Sequence, residues 1–390
     1  MHSSMYLHSC LNQENTILEK NPRGREKMAS KKSIENLTIM GFKSIRELTV
    51  FSLKNLNVMI GANGAGKSNF IEYFRMLQEM IEGRLQRWTR RQGGADRILS
   101  FGVKQTRAFR SEIAFDEDAY SFILEPAING GFSFVDECVF TPHVDDPETG
   151  YLGSLGSGHG EAKLKERHQS CYHSISSWKV FHFHDTSDTA GVKRLGALHD
   201  NDYLRPDASN LAAFLHRMSV QCPDVYQQIL KTIQLCIPFF DDFVLKPKAL
   251  PTGEEQIRLL WRQKESDYPL WPSQLSDGSI RFICLATALL QPNPPSTMII
   301  DEPELGLHPY AITLMGSLLR SASKRMQIIV STQSVSLVNE FSVDDLIIVE
   351  RENGSTVFTR YDQRNFKNWL EEYSAGELWE KNILGGRPPK

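Results

Sequence analysis

The sequence predicts an α/β fold with a parallel, layered sheet, and three observations carry this prediction. An apolar strand pattern, LNVMI at residues 56–60, runs directly into a glycine-rich turn and then into apolar residues at helical spacing. The last third of the chain alternates short apolar runs with helical patterns, as successive strand–helix–strand units do. A separate stretch over residues 99–140 alternates apolar and polar side chains, which indicates an antiparallel β lobe.

The individual elements follow from the same periodicities. Before the last third, strands are predicted within residues 33–50, at 178–184 and, as paired strands, at 240–262, and helices at 68–82 and 206–237. In the last third, helices are predicted at 276–290, 309–322 and 335–341, and strands at 297–300, 327–330 and 346–349. Residues 141–176 are rich in Gly, Ser, His and charge, and they predict a mobile loop.

Composition places the chain among ordinary globular proteins. It has 390 residues, of which 41% are hydrophobic and 23% are charged. Its formal net charge of -3 gives no overall attraction to nucleic acid. A local basic surface could still bind nucleic acid in a protein of this net charge. The six cysteines are widely spaced without a CxxC pair, which predicts reduced thiols. No apolar run approaches the roughly 18 residues that span a membrane, and the polar first 30 residues do not resemble a secretion signal. We therefore expect a cytoplasmic protein without a membrane partner.

The glycine-rich turn carries the strongest chemical signal. Residues 61–68 read GANGAGKS and match the phosphate-loop pattern G-x-x-x-x-G-K-[ST] at every position. Backbone N–H groups of such a loop surround phosphates, Lys67 would neutralise the β- and γ-phosphates of ATP, and Ser68 would ligate Mg²⁺. A chance GKS in a plain strand–helix turn is the alternative, which the flanking strand and helix disfavour. The predicted nucleotide-binding residues of the loop are Asn63, Gly64, Ala65, Gly66, Lys67, Ser68 and Asn69.

An acidic pair follows the apolar run MII at residues 298–300. Parallel strands deliver their carboxyl ends to the ligand crevice, so this pair is expected to face the phosphates. Asp301 would hold the Mg²⁺ shell, and Glu302 would act as the general base that polarises water. A strand-end pair that merely caps the next turn is the alternative, and the phosphate loop upstream disfavours it.

The sequence LSDGS at residues 275–279 opens a predicted helix. Ser276 and Gly278 at a helix N-terminus could form an anion nest that holds a γ-phosphate. Because the chain already has one phosphate loop for its own ATP, we expect such a nest to bind the ATP that a partner holds. Taken alone, the same turn would be a plain helix cap made by Ser276 or Asp277.

In their order along the chain, these motifs resemble an ATP-binding-cassette ATPase head of the RecF and SMC kind, and more closely the bacterial ATPases called AAA-family or RecF-like. The resemblance covers about residues 31–390. The segments that carry it are GFKSI (41–45), the phosphate loop or Walker A motif, HFHDTS (182–187), LSDGSIRF (275–282), DEPELGLHP (301–309), STQS (331–334) and the C-terminal segments 369–373, 376–379 and 384–388.

This resemblance implies an α/β head with a mixed or parallel core sheet, an antiparallel β lobe and a helical signature lobe inserted between Walker A and Walker B. It implies a head-to-tail homodimer, or a higher homo-oligomer, in which Ser276 and Gly278 act in trans on ATP and Mg²⁺ bound by the partner. Residues 304–308 correspond to the D-loop that crosses the dimer interface. Gln333 takes the place of a switch histidine; it can orient water but cannot titrate as a base.

Two further expectations concern position along the chain. The Q-loop glutamine has three candidates, Gln86, Gln92 and Gln105. The expected domains are a polar extension at 1–30, a nucleotide-binding lobe at 31–142, an inserted loop and helical/β subdomain at 143–272, and a signature, Walker B and C-terminal lobe at 273–390.

Two weaker clusters have competing interpretations. The densest basic cluster surrounds Trp88 and contains Arg84, Arg87, Arg90, Arg91 and Arg97. It could contact DNA or RNA, whereas a solvated helix face is the favoured alternative. A zinc site at Cys171, His173, His182 and His184 is disfavoured, because the spacing is poor and no second cysteine cluster exists.

The expected function is an ATP hydrolase that acts as a dimerising switch in DNA repair or maintenance, or in anti-phage defence. No nuclease module is recognisable, so a separately encoded effector, possibly a nuclease, is expected. The alternative is an ATP-regulated scaffold that sequesters and releases a toxic effector protein. Gln333 and the long insertion argue against a third function, that of a transporter motor.

Overall fold

The computed structural model describes residues 32–116, 118–142 and 150–386. The expected N-terminal extension lies outside these residues. The chain forms two compact units that alternate along the sequence. The first unit holds residues up to 54, 72–178 and 351–357, and the second holds residues 55–71, 179–350 and those from 358 onward.

The first unit is built on an antiparallel sheet. Its strands are β1 (Ile34–Phe42), β2 (Ile45–Ser52), β4 (Phe109–Phe115), β5 (Ala119–Pro126), β6 (Phe132–Pro142) and β7 (Gly150–Gly156), in the order β2-β1-β4-β5-β6-β7. Side chains of β4 alternate between buried and more exposed positions, as the pleat requires. Aromatic rings pack across the buried face, with Phe122 5.3 Å from Phe109 and 6.2 Å from Phe134 between ring centroids. The predicted antiparallel lobe is confirmed.

Among the described residues of this unit there are four short helices, and two of them lie where the sequence predicted a loop. They are α2 (Leu85–Arg91), α3 (Ala95–Ile98), α4 (Leu164–Arg167) and α5 (Gln169–Ser177). The prediction of a loop at residues 141–176 is wrong for its described part, because β7, α4 and α5 occupy it; residues 143–149 lie outside the described residues. Pairing of β7 with β6 needs only backbone groups. Buried Glu137 accepts a hydrogen bond from the backbone N of Lys163 (3.0 Å) just before α4, and the His168 side chain caps α5.

The second unit is built on a largely parallel sheet. Its strands are β3 (Leu56–Ile60), β8 (Lys179–Phe181), β15 (Thr297–Asp301), β16 (Gln327–Thr332), β17 (Leu346–Glu352) and β18 (Ser355–Thr359), in the order β18-β17-β3-β16-β15-β8. The five strands from β17 to β8 pair in parallel. Every residue of β3 and β16 is buried, which is typical of a parallel sheet covered on both faces.

Helices and two small antiparallel sheets complete this unit. The helices are α1 (Lys67–Ile81), which continues into the first unit from residue 72, and α6 (Leu211–Gln221), α7 (Pro223–Cys236), α8 (Asp277–Leu290), α9 (Pro309–Ala322), α10 (Val335–Val338), α11 (Lys367–Leu370) and α12 (Ala375–Glu380). The small sheets have the orders β10-β13-β14 and β11-β12-β9. Their strands are β9 (Gly196–Ala197), β10 (Phe240–Val244), β11 (Lys248–Ala249), β12 (Glu255–Ile257), β13 (Leu260–Gln263) and β14 (Pro269–Leu270).

The core of the second unit lies around α8, which is buried from residue 282 to residue 290. A helix apolar on all sides must be enclosed, and α8 packs against both α7 and α9. The α/β class with a parallel core sheet is therefore confirmed. Within the described ranges, none of the helices combines the length and the apolarity that a membrane crossing requires.

Candidate functional site

The predicted site residues of the second unit gather at the carboxyl ends of neighbouring strands. β16 lies between β3 and β15 and pairs in parallel with both. The phosphate loop follows β3, the acidic pair closes β15, and Gln333 follows β16. Since parallel strands end at one edge of the sheet, motifs separated by more than 230 residues of sequence meet there.

The phosphate loop has the backbone shape that its glycines permit. Gly64 and Gly66 adopt φ values of 77° and 118°, in the region that favours glycine. Gly61 lies so close to β17 that a Cβ atom would stand 2.1 Å from the carbonyl oxygen of Val349. The loop leads into α1, where Ser68 is exposed in the first turn.

Lys67 is a buried cation at the base of this loop. Its side chain is 6% exposed, and Nζ donates to the carbonyl oxygens of Gly61 (2.5 Å) and Ala62 (3.1 Å). Burial lowers the pKa of Lys67, and the charges of three nearby acids oppose that shift. These acids are Glu302, Asp301 and Glu304.

The acidic pair is held by both neighbouring strands. One carboxylate oxygen of Asp301 accepts from the Ser331 hydroxyl (2.7 Å), and the other lies 3.8 Å from Nδ1 of His182. Nε2 of His184 lies 3.2 Å from the carbonyl oxygen of Asp301. Glu302 has φ +46°, which is uncommon for a residue with a side chain and turns the chain sharply after the strand.

The structure brings the two predicted catalytic side chains into direct contact. Nε2 of Gln333 donates to Oε1 of Glu302 at 2.6 Å, and both side chains retain access to solvent. The same loop contains Glu304, whose carboxylate binds Thr332 and the backbone of Gln333. Sequence reasoning placed Glu304 in the D-loop only, although an acid two residues after the pair was a signal for a further role.

The signature turn, residues 275–279, contains the N-cap of α8, as its sequence suggested. Oγ of Ser276 accepts from the backbone N of Ser279 at 3.1 Å and caps α8, and Ser276 is exposed. Gly278 packs against the D-loop so closely that a Cβ atom would stand 2.2 Å from the carbonyl oxygen of Gly306. A side chain at this position would therefore require α8 or the D-loop to move.

Arg281 joins three segments of the second unit. Its guanidinium donates to the carbonyl oxygens of Phe183 (3.1 Å), His184 (2.9 Å) and Leu305 (3.0 Å). The signature helix is thus fixed to the chain after β8 and to the loop after β15. A planar group with five donors is suited to such a three-way contact.

The Q-loop and zinc candidates of the first unit contact other parts of the protein. The amide of Gln86 donates to the carbonyl oxygens of Phe132 (2.8 Å) and Gly160 (2.6 Å), and Oε1 of Gln92 lies 3.5 Å from Nζ of Lys43. Both amide hydrogens of Gln86 are therefore engaged within the first unit. Burial raises the pKa of the Cys171 thiol. Across the described part of the chain, no group of three or more His, Cys, Asp or Glu residues is arranged to hold a metal ion.

The charges at the edge of the parallel sheet suit a magnesium–nucleoside triphosphate. A buried ammonium and the N-terminus of a 15-residue helix offer positive potential to phosphates. Asp301 and the exposed hydroxyl of Ser68 supply the hard oxygen ligands that Mg²⁺ prefers. The residues present therefore fit ATP and Mg²⁺ on chemical grounds.

Fold and site together define an AAA-family ATPase domain whose fold is similar to that of SMC heads. The chain belongs to the family described as "AAA domain, putative AbiEii toxin, Type IV TA system", whose model matches residues 56–339. Among curated proteins, no sequence matches the chain.

Solved structures of SMC heads share the fold. An SMC head bound to the C-terminal winged-helix domain of ScpA is 14% identical, with a TM-score of 0.53 over 86% of this chain and 99% of that one. An SMC head with an extended coiled coil, bound to the C-terminal domain of ScpA from Pyrococcus furiosus, is 15% identical, with a TM-score of 0.55 over 87% and 99%. The predicted resemblance to SMC and RecF-like heads is confirmed.

The contact between Gly278 and the D-loop predicts a stability defect. Gly278→Ala should lower the free energy of unfolding by about 1–3 kcal/mol, because the new methyl group must push α8 away from Gly306. Thermal unfolding measures the loss, and Gly196→Ala is the control because its Cβ would meet nothing nearer than 3.7 Å. Equal midpoints for the two variants would contradict the close packing.

Proposed function

We propose that the protein hydrolyses ATP and uses the cycle of binding and hydrolysis as a dimerising switch. The contact of Gln333 with Glu302 at the edge that carries Lys67 is the observation on which this proposal rests. Glu302 would accept a proton from the attacking water, and the amide of Gln333 would hold the Glu302 carboxylate in position. Lys67 would bind the β- and γ-phosphates.

The other loop residues have supporting roles in this proposal. Ser68 and Asp301 would hold Mg²⁺, which when bound neutralises phosphate charge. Asn63, Gly64, Ala65, Gly66 and Asn69 would complete the binding loop around the phosphates. The hydroxyl of Ser331 orients the Asp301 carboxylate through the hydrogen bond described above.

The exposed signature turn supports a composite site made by two copies of the chain. Ser276 and Gly278 open a 14-residue helix whose positive end is free for an anion, whereas the chain's own phosphates would lie on the N-terminus of α1. We propose that each copy offers this turn to the ATP held by its partner, with the D-loop at the interface. Exposed Leu305 and Tyr310, at 41% and 57%, supply apolar surface beside that loop.

A separately encoded effector protein is the proposed target that the switch regulates. The two solved SMC heads are bound to domains of ScpA, and the family description names a toxin. We propose that ATP-driven dimerisation regulates a partner protein, such as a nuclease, in DNA maintenance or defence against phage in the cytoplasm. Holding and releasing a toxic protein without acting on nucleic acid is the second candidate, which the family description favours.

A basic surface on the first unit supports nucleic acid as a further partner. Residues 84–110 contain eight Lys and Arg residues and a single acid, Asp96, in a chain of net charge -3. Arg87, Arg90 and Arg91 lie at i, i+3 and i+4 on the exposed side of α2, and none has an ion pair within the ranges that the structure describes.

The acids near this surface are engaged elsewhere. Glu79 pairs with Arg84 (2.8 Å), Asp96 accepts from the backbone N of Val103 (2.9 Å), and Glu161 binds the first N–H groups of α2. The three arginines are therefore available to phosphates. Trp88 is 8% exposed, so charge rather than base stacking would carry the binding.

Two substitutions separate nucleotide binding from hydrolysis. Lys67→Ala should weaken ATP binding by about 100-fold, because a charge-assisted contact to phosphate is lost. Glu302→Gln should keep the Kd for ATP and lower kcat by about 10²–10⁴-fold. Calorimetric titration and phosphate release measure the two effects. Hydrolysis by Glu302→Gln at the normal rate would remove Glu302 from the role of base.

The composite site predicts complementation between two inactive variants. Lys67→Ala and Ser276→Arg should each be inactive, and a mixture of the two should regain partial ATPase activity. One loop and one opposing signature remain intact in the mixed dimer, and each variant incubated alone is the control. Sedimentation of Glu302→Gln should show a dimer with ATP and Mg²⁺. Mixed dimers without activity would refute action in trans.

The arginine surface predicts salt-dependent binding of duplex DNA. Replacing Arg87, Arg90 and Arg91 by Ala should reduce the slope of log K against log salt by about 3 units, since each lost phosphate contact contributes about 0.9. Fluorescence anisotropy with labelled duplex and single-stranded DNA measures this slope. Lysine at the same positions should restore most of it.

A matched control removes three arginines that already have ion pairs, Arg205, Arg217 and Arg364. Their replacement by Ala changes the net charge equally and should change the slope much less. Absence of DNA binding by the unmodified protein, or an equal loss in the control, would favour the second candidate function.

A further inference from the structure

Glu304 is a half-buried acid that has no chemical role in the functions assigned above. It lies two residues after Glu302, in the loop between β15 and α9. Oε1 accepts two hydrogen bonds, one from the hydroxyl of Thr332 (2.6 Å) and one from the backbone N of Gln333 (3.1 Å). A single carboxylate oxygen therefore holds two consecutive residues at the end of the neighbouring strand.

These two bonds act on the residue that contacts Glu302. Thr332 is the last residue of β16 and is fully buried, and its hydroxyl also accepts from the backbone N of Ser334 (3.0 Å). Gln333 follows directly, beyond the end of the strand, and its exposed amide reaches Glu302 at 2.6 Å. The backbone at Gln333 is thus set by Glu304 on the same loop that carries Glu302.

Without such an anchor, the amide of Gln333 would be free to move. A glutamine side chain loses up to about 1.5–2 kcal/mol of rotamer entropy when it is held in one geometry. A single exposed hydrogen bond of typical net strength, about 0.5–1.5 kcal/mol, does not clearly repay that cost. Fixing the backbone N of Gln333 on Glu304 does not order these rotamers, but it restricts the backbone of Gln333, so that the side chain starts from a set position when the amide contact forms.

One carboxylate oxygen of Glu304 is buried at a cost in free energy. Oε2 is buried and has no hydrogen-bond partner within the described residues. An unsatisfied buried acceptor costs about 1–3 kcal/mol. Burial, and to a smaller extent the charge of Glu302, raises the pKa of Glu304, so a neutral side chain with the same acceptor should be tolerated there.

We propose that Glu304 is a positioning residue that holds Thr332 and Gln333 so that the amide of Gln333 stays aimed at the carboxylate of Glu302. Its consequence for turnover rests on the proposed ATPase function, whereas its consequence for the orientation of Gln333 does not. Glu304 does not itself contact water or phosphate in this assignment.

Kinetics of three variants test the proposal. Glu304→Leu removes the acceptor at similar volume and should lower kcat roughly 10- to 100-fold, the range that a misplacement of about 1 Å can cause. The Kd for ATP should stay unchanged, because Lys67 and its loop are untouched. Glu304→Gln keeps an oxygen acceptor and should retain most of kcat. If Glu304→Leu does not fold, Glu304→Ala is the alternative variant that lacks the acceptor oxygen.

A double substitution separates action through Gln333 from a general defect. Glu304→Leu combined with Gln333→Ala should be no slower than Gln333→Ala alone, because both remove the same contact. Glu137→Leu is the stability control: this carboxylate accepts from the backbone N of Lys163 (3.0 Å) in the first unit and has no assigned role at the site. It should lower the unfolding midpoint without lowering kcat. Additive losses in the double variant would overturn the proposal.

A spectroscopic measurement keeps the test independent of ATPase activity. In protein labelled with [15N]glutamine, the side-chain amide signal of Gln333 is assigned by its loss in Gln333→Ala. In the unmodified protein we expect this signal to lie away from the position of a free amide. It should move to the free-amide position in Glu304→Leu, and it should keep its original position in Glu304→Gln and Lys67→Ala. An unmoved signal in folded Glu304→Leu would refute the positioning role, whereas a protein that never hydrolyses ATP would refute the proposed function alone.

Discussion

A buried ammonium group at the edge of a parallel sheet is the constraint on which the site depends. Burial of Lys67 lowers its pKa, so the charged form needs negative groups nearby. Asp301, Glu302 and Glu304 meet this need because β15 ends at the same edge of the sheet as the phosphate loop, with only β16 between β15 and β3. The same edge of the sheet therefore carries a positive loop and a negative strand end, which is the charge pattern that a magnesium–triphosphate complex satisfies.

The acids themselves are held by neighbouring segments rather than by their own strand. Asp301 is bound by Ser331, and the Glu302 side chain is bound by Gln333, so the end of β16 supports the end of β15. The loop after β15 is fixed in turn to the signature helix, through the tight approach of Gly278 to Gly306. In the proposed head-to-tail dimer this connection would link Asp301 and Glu302 of one site to the signature turn that would serve the other, which would give a physical route for the two sites to act together.

The sequence by itself determined the local chemistry of this protein. The pattern GANGAGKS requires a strand–loop–helix, and the structure has β3, the loop and α1 at those positions. Helix α9 begins and ends as its periodicity predicts, because Pro309 starts it and the apolar spacing continues to Ala322. The strand before Asp301 was predicted from apolar residues alone, since strands buried on both faces read as continuous runs. Residues 150–177 were missed, because backbone pairing and helix caps leave little apolar periodicity to detect.

Only the tertiary structure decided which residues meet. Strand order places β16 between β3 and β15, and no local pattern encodes that order, since it results from burial of the whole sheet. The contact of Gln333 with Glu302 and the role of Glu304 follow from it, as does the grouping of residues 55–71 with 179–350 in one compact unit. Arg281 lies in a segment that the sequence singled out, yet its three carbonyl partners come from segments far apart in sequence and were not predicted. A motif can be recognised from a few consecutive residues, because its chemistry depends on their types and spacing. The partners of those residues depend on packing between segments that are distant in sequence.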